Sequence, residues 1–169
     1  MSFDYQPTLS GELITLAPLR SEHFHDLFLV ASDPYSDRYK EDVFQTFFDD
    51  ALASGGALIV RDRSDEKIIG SSRYHGYDGK VSEVEIGWTF LARSHWGGVY
   101  NGEMKKLMLD HAFQFVDTVV LLIGPENVRS KRAAEKIGAV RTGSSPNALG
   151  IFSDVYAIEA TSWKERTSE

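Results

Sequence analysis

Residues 84–113 read VEIGWTFLARSHWGGVYNGEMKKLMLDHAF. Three regimes follow one another in this stretch. Apolar and polar residues alternate from Val84 to Leu91, the period of a strand. A polar loop carrying Trp96, Gly97 and Gly98 comes next. From about Val99 to Val116, Tyr100, Met104, Leu107, Met108, His111 and Phe115 recur at steps of three and four, the period of a helix. Glycine costs backbone entropy, roughly 0.5–1 kcal/mol relative to alanine in a regular element, so two in a row before a helix need a reason. The first N–H groups of a helix lack partners, and the helix dipole is positive there. Small residues let an anion reach those groups, so Gly97 and Gly98 are expected to admit a phosphate. A tight turn would use the same glycines. No Walker lysine pair and no G-x-G-x-x-G accompanies them.

Working outward, GELITLAPLR (11–20) reads as an opening strand. SEHFHDLFLVASD (21–33) reads as a helix capped by Ser21 and broken by Pro34. EDVFQTFFDDALASGG (41–56) is a second helix, with Val43, Phe44, Phe47, Phe48 and Leu52 on one side and Gly55 and Gly56 as its stop. The period then becomes two. Residues 57–91 form three strands in a meander, with turns at Ser64–Glu66 and at Asp78 and Gly79. After the glycine loop and its helix come a buried strand TVVLLIG (118–124), a helix NVRSKRAAEKIGAV (127–140) and a last strand DVYAIEATSW (154–163). A small extra strand is placed near Ala139–Thr142. The order predicts an α+β fold, a mixed, mostly antiparallel sheet of six to seven strands with about four helices, and not a chain of βαβ units. The whole chain, 1–169, is expected to be one domain.

Composition narrows the function. The 169 residues are 42% hydrophobic and 25% charged, with a net charge of −7 and no cysteine. Disulfides, thiolate metal ligands and a cysteine nucleophile are excluded. The negative charge argues against nucleic acid and is compatible with a cationic substrate. No apolar run is long enough to span a membrane, and no secretory signal opens the chain, so a cytoplasmic location is expected. The five histidines show no metal-ligand spacing, and no metal is expected.

The element order, with VEIGWTFLARSHWGGVYNGEMKKLMLDHAF followed by GPENVRSKRAAEKIGA, resembles the GNAT superfamily of acetyl-CoA-dependent N-acetyltransferases. It looks closest to the ribosomal-protein N-terminal acetyltransferases (RimJ/RimL-like). EIGW (85–88), WGG (96–98) and the N-x-x-S run ending EKIGA (127–139) carry the likeness. The resemblance implies an acyl-CoA N-acyltransferase fold, acetyl-CoA as co-substrate, and a small-molecule or peptide amine as acceptor. It also implies a homodimer by analogy. By the same resemblance, the loop around Ser94–Val99 would bind the coenzyme A pyrophosphate through backbone N–H groups. The strand end, with Phe90 and Leu91, would pair with the pantetheine arm. Asn127 would reach that arm across a gap between two parting strands, and Ser130 would sit near the sulfur. The family pattern departs here in three places: Ser94 takes its basic position, with Arg93 one place early, Val99 takes its second small position, and Ala134 stands where many members carry a tyrosine.

Without cysteine, the simplest route is direct attack by the amine in a ternary complex. Neutralising a lysine amine at pH 7 costs about 4–5 kcal/mol, whereas an α-amine costs about 1 kcal/mol. Candidate bases lie on the strand KVSEVEIGWTF. Val84, Ile86, Trp88 and Phe90 would share a core face, and Glu83, Glu85 and Thr89 the other. Glu85 is the favoured base and Glu83 the second candidate, while Ser130 would hydrogen-bond the thiolate. His95 could meet phosphate when protonated, Trp96 would anchor the loop by packing, and Tyr100 opens the helix at the same site. Arg129, Lys131 and Arg132 could meet the 3′-phosphate. Asp33, Asp37, Glu41 and Asp42 hint at a cationic acceptor. A coenzyme-A-binding module without turnover, and an unrelated phosphate-binding domain, stay open as alternatives.

Overall fold

Period-two and period-3.6 segments settle into eight strands and five α-helices in the order expected, with additions at both ends. The structure is a computed structural model, and it describes residues 2–32, 41–147 and 149–168. The elements are β1 (Leu9–Ser10), β2 (Ile14–Pro18), α1 (Phe24–Ala31), α2 (Glu41–Ser54), β3 (Ala57–Asp62), β4 (Ile68–Asp78), β5 (Glu83–Leu91) and α3 (Val99–Ala112). They continue with β6 (Thr118–Ile123), α4 (Val128–Lys136), β7 (Val140–Pro146), β8 (Phe152–Glu159) and α5 (Ala160–Thr167). The strands hydrogen-bond in the order β1-β2-β3-β4-β5-β6-β8-β7. β5 and β6 run parallel, while β2–β3, β3–β4, β6–β8 and β7–β8 are antiparallel. The chain divides into two compact units.

One unit holds Asp4–His75 and Trp88–Met108. Its apolar centre gathers Leu27 and Ala31 of α1, Phe44, Phe48 and Ala51 of α2, and Ala57 and Ile59 of β3. Phe44 and Phe48 are 1% and 2% exposed, and burying each contributes roughly 2–3 kcal/mol. Val43, expected beside them, is instead exposed. Ser21 is not a helix cap. Residues Ser21–His23 form a 3₁₀ turn, and the imidazole Nδ1 of His23 accepts the Arg20 N–H at 3.0 Å. Pro34 lies outside the described residues. At the other edge, the Glu103 carboxylate of α3 accepts the N–H groups of Glu12, Leu13 and Ile14 at 2.8–2.9 Å. That clamp ties the turn before β2 to the helix that follows the glycine loop.

The second unit holds Met1–Phe3, Gly76–Gly87 and Leu109–Glu169. β6 is its centre, pairing β8 from Thr118 to Ile123 and β5 from Glu83 to Glu85. His111 is buried and rings with Phe3 and Phe115, a core role. Two expectations change here. β7 is a full strand rather than a short extra one. The last strand ends at Glu159, and Ala160–Thr167 turn into a helix. Trp163 explains the turn, since its ring is buried and its Nε1–H donates to Asp110 Oδ1 at 2.7 Å. A strand continued through Trp163 would alternate its side chains and lose that bond. Among the described residues, no helix is long and apolar enough to cross a membrane.

Candidate active site

Gly97 and Gly98 adopt φ of +118° and +102°, backbone that L side chains rarely take. A Cβ built on either meets nothing within 4 Å. The protein itself therefore does not fill this bend, and the glycines answer to conformation rather than crowding. α3 starts immediately after it, and its first bond into the bend runs from Gly102 N–H to Gly98 C=O at 2.8 Å. Among the described residues no acceptor takes the N–H groups of Val99, Tyr100 or Asn101. Open space, a positive helix end and unclaimed donors together fit a diphosphate. Val99, at the pattern's second small position, is 67% exposed and crowds nothing within the protein.

The loop before the bend is tied down by side chains. Trp96 Nε1–H donates to the Leu91 carbonyl at 2.9 Å, so Trp96 anchors the loop by a hydrogen bond, with its ring half exposed. The Arg93 guanidinium lies 5.0 Å from that ring. His95 Nε2 sits 2.8 Å from Asp62 Oδ2, and its Nδ1 sits 2.8 Å from Ser94 Oγ. The Ser64 N–H, then His95 and the Ser64 hydroxyl, hold the Asp62 carboxyl down at about 2. An ionised carboxylate only accepts, so Nε2 carries the proton. The Tyr100 ring packs edge-on to the imidazole at 4.6 Å. Asp62 thus orients His95 beside the bend.

β5 carries the candidate bases. Glu83 and Glu85 are half-buried, in register with Thr118 and Val120 of β6. The pairing ends at Glu85, while β6 stays paired to β8 through Ile123. β5 therefore parts from β6 immediately after the favoured base. Gly87 leaves room for the Glu85 carboxylate, since a Cβ there would lie 3.1 Å from Glu85 Oε2. The expected alternation holds at Val84 and Ile86, 0% and 1% exposed, and then fails. Trp88 is not core: it has φ of +51° and is 40% exposed. A left-handed residue interrupts the pleat, so period-two counting cannot cross it. Beyond it, Phe90 packs on the apolar centre of its unit, with its ring 5.9 Å from Phe47. Phe90 and Leu91 are both half-buried.

Asn127 caps α4, its side-chain oxygen accepting the Ser130 N–H at 3.1 Å. Ser130 is half-buried, and its hydroxyl takes no partner among the described residues. Ala134 is 3% exposed, so no acid stands at that turn. Arg132 is exposed. Lys131 is unavailable for a phosphate, being committed to Asp154 at 2.6 Å. Asp154 also holds Arg141 at 3.1 Å.

Three residues, Asp62, Lys105 and Arg73, escape sequence reading. Asp62 ends β3 and acts through His95, thirty-three residues away. Lys105 is 8% exposed, and its ammonium reaches Thr89 Oγ1 at 3.0 Å, which in turn meets Ser72 Oγ at 2.8 Å. Burial pulls the Lys105 amine down to about 8. Arg73 is 3% exposed under Trp88. A lysine at a helical core position and an arginine at a strand core position were visible signals, and neither had a partner visible in the sequence.

Comparison with known proteins gives the family. The profile of the acetyltransferase (GNAT) domain matches residues 14–140. No curated protein matches the chain in sequence. A GCN5-related N-acetyltransferase from Brucella melitensis superposes with a TM-score of 0.85 at 18% identity, covering 96% of this chain and 83% of its own. A spermidine N-acetyltransferase chimera built from a Vibrio cholerae enzyme gives 0.71 at 16% identity, covering 92% and 100%. Mycobacterium smegmatis RimJ, solved with coenzyme A disulfide, gives 0.72 at 16% identity, covering 93% and 89%. At these identities the superpositions speak for the fold, while the profile spans most of the chain. The chain belongs to the GNAT family and is an acetyl-CoA-dependent N-acetyltransferase.

Proposed function

We propose that this single-domain chain acetylates a primary amine, either a protein N-terminal α-amine or a small-molecule amine, in a RimJ/RimL-like manner. The carrying observation is the parting of β5 from β6 directly after Glu85. The left-handed diglycine start of α3 supports it from its own unit. Acetyl-CoA supplies the activated acetyl thioester. The α3 amides and the His95 imidazole hold its diphosphate, and the backbone edge of β5 holds its arm. Asn127 and Ser130 provide polar contacts, with Ser130 donating to the departing sulfur. Glu85 takes the amine proton, directly or through one water, as the new N–C bond forms and the C–S bond breaks. Glu83 is the reserve base.

Calorimetry with coenzyme A, followed by thiol release across an amine panel, tests this reading. Binding with turnover of at least one amine supports it. Binding without thiol release for any amine favours a coenzyme-A-binding module, and no binding sinks both. In the active case, Glu85→Gln should lower kcat about 100-fold with little change in acetyl-CoA affinity, and should remove the lower limb of the pH profile.

A further inference from the structure

Arg73 of β4 is among the least exposed charged side chains described, at 3%, yet it is half satisfied. Its Nη1 donates to Asp50 Oδ2 of α2 at 3.0 Å. Its Nε and Nη2 have no hydrogen-bond partner among the described residues and are shut away from solvent. These two nitrogens form the side-on edge of the guanidinium, with parallel N–H bonds at the spacing of a carboxylate's two oxygens. A buried orphan donor destabilises the fold, and a buried charged one does so more. A stability role alone gives no reason for two such donors to lack a partner among the described residues.

The surroundings keep the fork planar and aimed. The guanidinium carbon lies 4.4 Å from the Trp88 ring centre and 5.7 Å from that of Phe47. Trp88 in turn meets the exposed His75 edge-on at 5.3 Å. Stacking on aromatics holds a guanidinium while leaving its in-plane donors available. Trp88 is the exposed member of this cage, and it holds the left-handed φ of +51° at the break in β5. Strain of this kind persists where the surroundings over-determine it. Arg73, Asp50, Phe47, His75 and Trp88 all lie in one compact unit.

We propose that Arg73 is a specificity-determining residue that receives a carboxylate of the acceptor, so the preferred substrate is an amine that also bears a carboxylate. The Nε–Nη2 edge accepts the carboxylate side-on, Asp50 fixes the opposite end, and Trp88 is the side chain that yields on entry. This rests on the acetyl-transfer reading for its kinetic readout and on binding alone for a second one.

The test pairs isosteres. The peptide amides Ala-Glu-NH2 and Ala-Gln-NH2, Ala-Asp-NH2 and Ala-Asn-NH2, and glycine with glycinamide differ in one carboxylate; rates are corrected for the fraction of free amine. Wild type should prefer the carboxylate member of at least one pair by tenfold or more in kcat/KM. Arg73→Met should erase that preference while coenzyme A binding and turnover of the neutral members stay within threefold. Arg73→Lys should restore only part of it, because an ammonium lacks the fork. Binding of the preferred carboxylate peptide, followed calorimetrically without acetyl-CoA, should vanish in Arg73→Met. No preference in wild type for any pair, or a preference that survives Arg73→Met, overturns the proposal. Should no amine be acetylated, the calorimetric arm still decides: no Arg73-dependent carboxylate binding ends the proposal by itself. If Arg73→Met does not fold, Asp50→Asn together with the wild-type pairs carries the same decision.

Discussion

Two helices in this chain begin after loops that read alike, and they begin differently. α4 caps itself: Asn127 folds its side-chain oxygen onto the Ser130 N–H, as short polar residues do at helix starts. α3 has no such cap. Its start is reached through two left-handed glycines, its leading amides meet no acceptor among the described residues, and space lies open where side chains would be. One start spends its donors on its own chain, and the other holds them out. The lesson is that a helix start can keep its donors available to a ligand through what is withheld from it, and glycine is the residue that withholds.

The sharpest way to break this contrast is to make α3 resemble an ordinary start. Replacing Gly97 and Gly98 together by alanine forces the bend out of its left-handed region, at a cost on the order of 1–3 kcal/mol per residue. Coenzyme A affinity, measured by calorimetry, should fall at least about 100-fold while the far-ultraviolet circular dichroism is kept. Retained affinity would show that the bend is a turn and nothing more.

Lys105, on the second turn of the same helix, offers the next largest effect. Its folded-state amine sits at about 8, below the ordinary 10.5, because burial disfavours the ammonium. The folded chain then binds fewer protons than the unfolded one between these values, so stability should rise as pH climbs from 8 to 10.5 and be lowest beneath 8. A shift of this size corresponds to roughly 3 kcal/mol at most. Lys105→Met should raise the urea midpoint at pH 7 and flatten the alkaline rise.

A smaller effect concerns Asp62, which steadies His95 beside the α3 start. Its carboxyl is held at about 2 against an ordinary 3.8, so its contribution is complete above pH 4 and is lost as pH falls through 2. Asp62→Asn should lose that portion of the acid transition. It should also weaken coenzyme A binding several-fold, because His95 loses the partner that orients it beside the α3 start.

The smallest expected change lies at α4. Asn127→Asp preserves a capping oxygen, so stability should stay within about 0.5 kcal/mol of wild type. Coenzyme A affinity should drop only a few-fold. A drop as large as that of the glycine pair would erase the distinction between the two starts.

Much of this architecture was legible because it repeats. The meander, the α3 stripe and the Asn127 start each follow a local period or a local chemistry. Trp88 broke that reading because a single left-handed residue resets the alternation, and nothing in EIGWTF announces it. Residues 160–163 read as strand but open α5, because the decisive contact, Trp163 to Asp110, spans fifty-three residues. The candidate site divides in the same way. Gly97, Gly98 and Asn127 act through backbone conformation or a nearby amide and could be read directly. Arg73, Lys105 and Asp62 owe their character to partners from distant segments, and burial and orientation are not written beside them. Asp33 and Asp37, which hinted at a cationic acceptor, lie outside the described residues.

The brevity of the β5–β6 ladder has a practical corollary. Three residue pairs join these parallel strands before the hydrogen bonding stops. A sheet interrupted there carries raw main-chain polarity in its middle, where an intruding strand from a neighbouring molecule could latch on. Any molecule that zips along that margin acts as a surrogate strand and adds stability by mass action, roughly 2.7 kcal/mol at a hundredfold excess over its dissociation constant. Purification and storage with saturating coenzyme A should therefore suppress clumping that dialysis would provoke.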